Sequence, residues 1–335
     1  MTRKARRTIF YTLLALFFVV GSGVVLYAEG WRVDLTTWRP EKVGAIYIRS
    51  YPQSAAITLN GKPVGNQSGF LSPGTLISDL LPHTYRVSLQ APGYDDWHEN
   101  AAVLPSFVVQ FRYAVLVPRD GMPAPTGTVA GSAYSSVKQY LALSSAAAAP
   151  TTTDPFDPSQ KAVAGKNKVS VFSATQATTT LTIAVSGWNA GVTWLTPTLL
   201  GILQSDGELY LYNTNARQLR KLADDVRSFS ATPDGSMVAA LEYRSMEVFS
   251  LSDPGVYYRF NPPDIAAAQR TFWYADRTHL FVIYPDHVSF LDLADATLTN
   301  FTTVADGTSP FYDEAANKLF ILTPARNIAA YAFPS

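Results

Sequence analysis

Twenty-one residues without a charge, Thr8 to Ala28, constrain this chain more than any other feature. Leu, Val, Phe and Ile fill the run, Arg3, Lys4, Arg6 and Arg7 precede it, and Glu29 ends it. At 1.5 Å per residue, roughly 20 apolar residues match the ~30 Å hydrocarbon core of a bilayer. Backbone groups in lipid must bond within their own segment, so residues 8–28 are expected to form a transmembrane helix. Gly21 and Gly23 are compatible with this, because spanning helices tolerate glycine. Tyr11, Tyr27 and Trp31 fall near the two ends, at headgroup level. The basic flank assigns residues 1–7 to the cytoplasm as a short stub and the bulk of the chain to the extracytoplasmic side. A cleaved signal peptide ending at Leu26-Tyr27-Ala28 is the rival reading; cleavable apolar cores are shorter, about 7–15 residues. Arg6-Arg7 also hints at twin-arginine export, but Ala5-Arg6-Arg7-Thr8-Ile9-Phe10 is a weak match.

The remainder reads as all-β. Tyr and Phe number 18 each among 335 residues, an abundance that favours strands. The chain has no cysteine, which excludes disulfides, thiolate metal sites and cysteine nucleophiles. Its formal net charge is zero, so nothing global draws it to nucleic acid.

Residues 31–42 form a polar connector. Short strand-like runs follow over 43–118: Ala45–Ser50, Ala55–Asn60, the alternation of Tyr85, Val87 and Leu89, and Phe107–Val117. Asn60-Gly61 signals a two-residue hairpin, and Pro73-Gly74 and Pro92-Gly93 mark turns. The spacing fits a small antiparallel sandwich. Pro52-Gln53-Ser54-Ala55, then Ile57-Thr58-Leu59-Asn60-Gly61-Lys62, then Leu81-Pro82-His83-Thr84-Tyr85 and Ala91-Pro92-Gly93-Tyr94 resemble the PEGA domain. Ser54 and His83 stand where that family's pattern has glycine. The resemblance covers about 44–103 and implies an exposed accessory sandwich of bacterial envelope proteins, without catalytic residues.

Residues 119–165, rich in Pro, Ala and Thr, read as a linker or long loop, with an O-glycosylated stalk as a lesser option. Beyond it, 166–335 repeats. Trp194, Phe229, Phe272 and Phe311 open successive units at intervals of 35, 43 and 39 residues. Each opener is followed by an apolar run and then an aromatic alternating strand, such as Leu209-Tyr210-Leu211-Tyr212 or Val288-Ser289-Phe290-Leu291. Val169-Ser170-Val171-Phe172 is the trace of one earlier unit. A period near 40 is the signature of propeller blades. Thr232-Pro233-Asp234-Gly235-Ser236 resembles the turn motif of WD40-like propellers, so the resemblance is to a divergent propeller. The last unit ends at its third strand, and a strand from 127–145 is the candidate to complete it.

No catalytic, cofactor-binding or metal-binding residue is nominated. None of His83, His98, His279 and His287 has a partner at metal-ligand spacing; His279 and His287 read as surface or packing residues. Asp95-Asp96 and Asp224-Asp225 are adjacent, and neighbours on a strand point to opposite faces. Asp154 to Asp157 lacks the oxygen density of a calcium loop, and Arg217, Arg220 and Lys221 read as a solvated face. Trp97, Trp188, Trp194 and Trp273 could stack on sugars, but core packing is the simpler role. The expectation is a non-catalytic, membrane-anchored binding or scaffolding protein of a bacterial envelope. Its partners would be the bilayer and an envelope protein or polysaccharide, with no cofactor and no nucleic acid. The alternative is a polysaccharide-acting enzyme with its site in a propeller funnel. A sensor role is disfavoured because seven cytoplasmic residues cannot hold a signalling domain.

Overall fold

The computed structural model describes residues 3–34, 38–69, 72–123, 151–154, 157–173, 179–232, 234–253, 257–295, 297–325 and 327–334. The chain divides into two compact units that meet in sequence at Leu116 and Val117.

The first unit opens with helix α1 (Arg3–Ala28), which starts five residues before the uncharged run. The part from Arg6 to Ala28 is 23 residues with mean hydropathy 2.4, long and apolar enough to cross a membrane, and none of the described residues covers it. A ribbon of β1 (Trp31–Asp34) and β2 (Arg39–Lys42) follows, where the sequence suggested only a connector. Arg32 ties helix, ribbon and sandwich together. Its guanidinium donates to the Tyr27 and Trp31 carbonyls at 2.8 and 3.0 Å, and lies 3.6 Å over the Tyr27 ring. It also pairs with Asp79 at 2.5 Å.

The sandwich comprises β3 (Gly44–Tyr51), β4 (Ala56–Leu59), β5 (Lys62–Val64), β6 (Thr75–Leu80), β7 (Thr84–Gln90), β8 (Trp97–Ala102) and β9 (Val108–Val115). One sheet has the order β6-β3-β9, the other β5-β4-β7-β8. Every pairing is antiparallel except β3 with β9, which is parallel. Alternation places Ile46 and Ile48 of one sheet against Ile57, Val87, Leu89 and Trp97 of the other, all buried. Asn60 and Gly61 have φ of 49° and 77° and close the β4–β5 hairpin as the Asn-Gly signal requires. Ser54 and His83 are not among the positive-φ residues, which explains why neither needs the family's glycine.

Among the described residues the second unit holds three four-stranded sheets and one six-stranded sheet, which the 18-residue β13 divides into two parts, giving five groups of strands. The first sheet has β11 (Thr151–Thr153), β12 (Gln160–Ser173) and the start of β13 (Thr179–Thr196). The end of β13 leads the second, with β14 (Leu199–Gln204), β15 (Leu209–Asn213) and β16 (Gln218–Ala223). The third is β17 (Val226–Ala231), β18 (Met237–Glu242), β19 (Met246–Ser250) and β20 (Tyr257–Phe260). The fourth is β21 (Arg270–Trp273), β22 (His279–Ile283), β23 (His287–Asp292) and β24 (Thr302–Asp306). The fifth is β25 (Thr308–Asp313), β26 (Lys318–Leu322) and β27 (Ile328–Ala332), joined on its outer side by β10 (Met122–Pro123).

These are propeller blades. The aromatic openers Trp194, Phe229, Phe272 and Phe311 lie on the first strands β13, β17, β21 and β25. Apolar residues of neighbouring sheets share cores, as Leu195 and Leu209 do with Phe229 and Val238, and Leu241 and Val248 with Trp273 and Leu280. Gly201 permits one such approach, since a Cβ there would stand 2.6 Å from the Phe229 ring.

A short strand pairs with the outer edge of the last blade. It is Met122–Pro123, antiparallel to Ala329 and Ala330 of β27, and the nominated segment 127–145 lies outside the described residues. Gly121 makes room for it, because a Cβ there would meet the Tyr331 ring at 2.5 Å. The stretch 119–165 thus contains β10, β11 and the start of β12. Thr151–Thr153 pairs with 161–163, consistent with the β-propensity of threonine.

Candidate binding surfaces

Two clusters of titratable groups and one open sheet face stand out among the described residues. The first cluster surrounds His279 on β22. His279 is 1% exposed, with Nδ1 2.6 Å from Asp276 Oδ2 and Nε2 3.6 Å from Asp292 Oδ2. Burial alone would favour the neutral ring, yet the two carboxylates win and push its pKa up to about 10. The ring stacks on Phe290 at 4.8 Å, and Tyr274 meets it edge-on. Tyr274, Phe281, Phe290, Tyr312 and Phe333 form a continuous aromatic cluster linking the fourth and fifth blades. Asn317 bridges them, donating to the Tyr274 hydroxyl at 3.0 Å and accepting from Tyr312 at 2.6 Å. His279 is therefore a packing residue, as expected, but a charged one. The partner Asp292 was implicit in the hairpin, since it sits directly across from His279.

The second cluster lies on the third blade. Glu242 and Glu247, each 13% exposed, flank Arg259 at 3.9 and 3.6 Å. Ser245 donates to Glu242 and Tyr257 to Glu247, both at 2.5 Å. Burial raises the Glu242 pKa, with a smaller upward push from Glu247. The hydroxyl of Tyr257 is pushed up to about 12 by burial and by Glu247. Such a group can hold a proton between carboxylates or present an arginine at the surface.

The other residues singled out in the sequence have local duties. Asp157 caps its own turn by accepting from the Ser159 amide and hydroxyl at 3.0 and 2.6 Å. Lys221 pairs with Glu208 and Asp224, and these contacts hold its pKa above the ordinary value. His287 stacks on Tyr284 and pairs with Asp286. Trp97, Trp194 and Trp273 are buried, and the Trp188 side chain lies outside the described residues. Among the described residues no group of three His, Asp or Glu is placed to hold a metal.

Asp234 has a structural task in the motif that drew attention. Its Oδ1 accepts from the Ser236 amide and hydroxyl, and its Oδ2 reaches Arg277 of the next blade at 2.5 Å. Burial opposes its ionisation, but Thr232, Ser236 and Arg277 outweigh that and hold its pKa at about 2. Pro233 lies outside the described residues.

The open sheet face belongs to β6-β3-β9. Tyr47 and Arg49 of β3, Leu76 of β6, and Val108, Gln110, Arg112 and Tyr113 of β9 line a shallow groove of ≈ 460 Å³. The pairing of β3 with β9 steps from Ile48–Phe111 to Ser50–Ala114, so β9 carries one extra residue opposite Arg49. This bulge turns both Arg112 and Tyr113 outward, where strict alternation would have buried one of them. Arg112 Nε donates to Gln110 at 2.6 Å. Arg49 lies 5.1 Å from the Tyr51 ring, and its Nε is buried without an acceptor. Sequence reasoning missed this face. The available signal was the three-residue step between the inward Phe111 and Ala114.

The fold and these surfaces define a β-sandwich carried on an apolar helix, followed by propeller blades. Residues 43–115 match the PEGA domain family, which agrees with the sandwich just described. Among solved structures the chain is similar to Kuenenia stuttgartiensis hydrazine synthase, at 16% identity and TM-score 0.40, covering 51% of this chain and 54% of that one. It is also similar to the β-propeller domain of Myceliophteria thermophila Cps50 (Swd1), at 12% identity and TM-score 0.43, covering 55% of this chain and 64% of that one. No curated protein matches the sequence.

Proposed function

We propose that this protein is a membrane-anchored binding or scaffolding protein of a bacterial cell envelope, displayed on the extracytoplasmic side and acting without catalysis. The observation that carries this reading is α1, whose apolar side chains are not covered by any of the described residues and whose N-terminal part holds Arg3, Arg6 and Arg7. Lipid is the solvent that suits such a helix, and the basic end stays in the cytoplasm. The sandwich and blades then face outward and work by surface complementarity toward an envelope protein or polysaccharide. Protease added to intact spheroplasts tests this. Digestion of the chain beyond residue 30 supports the reading, and full protection, or recovery of the intact chain in the cytosol, refutes it.

A second reading is favoured by the paired carboxylates Glu242 and Glu247, which suit acid-base work on a polysaccharide. Hydrolysis of an envelope polysaccharide that is abolished by Glu242→Gln would support it over the binding role.

A further inference from the structure

We infer that the groove on the β6-β3-β9 face is a docking site for an acidic polysaccharide. The inference deepens the binding role and rests on it. Two guanidinium groups, Arg49 and Arg112, face each other across the bulge, and among the described residues no carboxylate lines the groove. Uncompensated positive charge calls for an anionic occupant. A guanidinium fork matches a carboxylate in two parallel hydrogen bonds.

The rest of the groove suits sugar. Tyr47 lies two residues before Arg49 on β3, about 7 Å away, and Tyr113 sits beside Arg112. Tyrosine rings offer flat apolar faces with a polar tip, and Leu76 and Val108, 51% and 46% exposed, extend the apolar floor. The groove is open and shallow, so it lacks the deep pocket that anchors a protein hot spot. A polymer repeating a flat ring and a carboxylate would meet ring and arginine in turn along β3.

The test uses the full-length protein in nanodiscs of zwitterionic lipid, titrated with polygalacturonate. Dextran is the uncharged control, and vesicles containing anionic lipid form the third arm. Polygalacturonate binds in a salt-sensitive way and dextran does not. Arg49→Ala and Arg112→Ala each weaken binding by about ten- to a hundredfold, the weight of a charge-assisted contact. Arg112→Glu, at an exposed position that leaves folding intact, weakens it further, whereas Arg217→Ala in the other unit has no effect. Failure to bind polygalacturonate, equal binding of dextran, preference for anionic vesicles, or indifference to the arginine changes would each overturn the inference. Polymer binding that survives Arg112→Glu removes the groove but leaves the binding role standing; protection in spheroplasts removes the role whatever the groove does.

Discussion

Replacing His279 with glutamine should cost the second unit about 3–5 kcal/mol at neutral pH, the usual penalty for stripping one partner from a buried ion cluster. The imidazolium is sealed between Asp276 and Asp292, which are themselves only 13% and 9% exposed, so neither carboxylate can recover its lost partner from water. The charge also makes a pH signature. The folded pKa of about 10 lies above the ordinary 6.5, so the native state keeps a proton that the unfolded chain releases. The contribution is complete below pH 6.5 and is lost as pH rises toward 10, at about 1.4 kcal/mol per pH unit inside that window. Urea unfolding of the detergent-solubilised protein between pH 6 and 9.5 measures both effects. His279→Gln should start lower and show a flatter pH profile than wild type. A loss below about 1 kcal/mol at pH 7, or parallel profiles, would refute a charged imidazole.

Arg227 makes five hydrogen bonds to the carbonyls of Glu242, Ile265, Ala266 and Ala268, so Arg227→Lys, with only three donors, should lose about 2–4 kcal/mol and speed amide exchange around 265–268. Arg277→Ala removes an exposed ion pair and should cost under about 1 kcal/mol. Asp234→Ala also releases the turn and should cost more, with the difference disappearing as pH falls toward 2, measured by urea titration of both variants. Gly235→Ala forces a Cβ to 2.0 Å from the Thr196 side chain at a φ of +66° and should lower the melting temperature by several degrees, read by calorimetry. Val19→Arg puts a charge mid-helix at about 2.5–3.5 kcal/mol and should shift part of the chain into the carbonate-extractable fraction.

Much of this architecture was legible because it follows period. The Asn60-Gly61 hairpin, the alternation of Tyr85, Val87 and Leu89, and the aromatic openers of the blades all fall on the expected strands. The outer strands β16, β20 and β24 were missed, because an outermost strand has one neighbour and little to bury: Gln218–Lys221 and Tyr257–Arg259 are exposed. Pattern alone also cannot specify which distant strand joins a sheet, so the pairing of Met122 and Pro123 with β27 was not read from the sequence. The groove was hidden for another reason. Its arginines become neighbours through the parallel pairing of β3 with β9, some sixty residues apart, and through a bulge that breaks the alternation used to read faces. Arg32 and Arg227 bond mostly to carbonyls, and every residue type has a carbonyl, so no sequence pattern announces them.

Arg32, on β1 just beyond the end of α1, has a mechanical corollary. A 23-residue apolar stretch is ~34 Å long, slightly more than a ~30 Å hydrocarbon core, so on the proposed anchoring the excess would be taken up by leaning. Because Arg32 bonds both the Tyr27 carbonyl and Asp79, the sandwich would then lean with the helix in place of trailing on a loose tether. A thinner bilayer would therefore swing the sandwich through a wider angle, turning lipid thickness into a pointing direction.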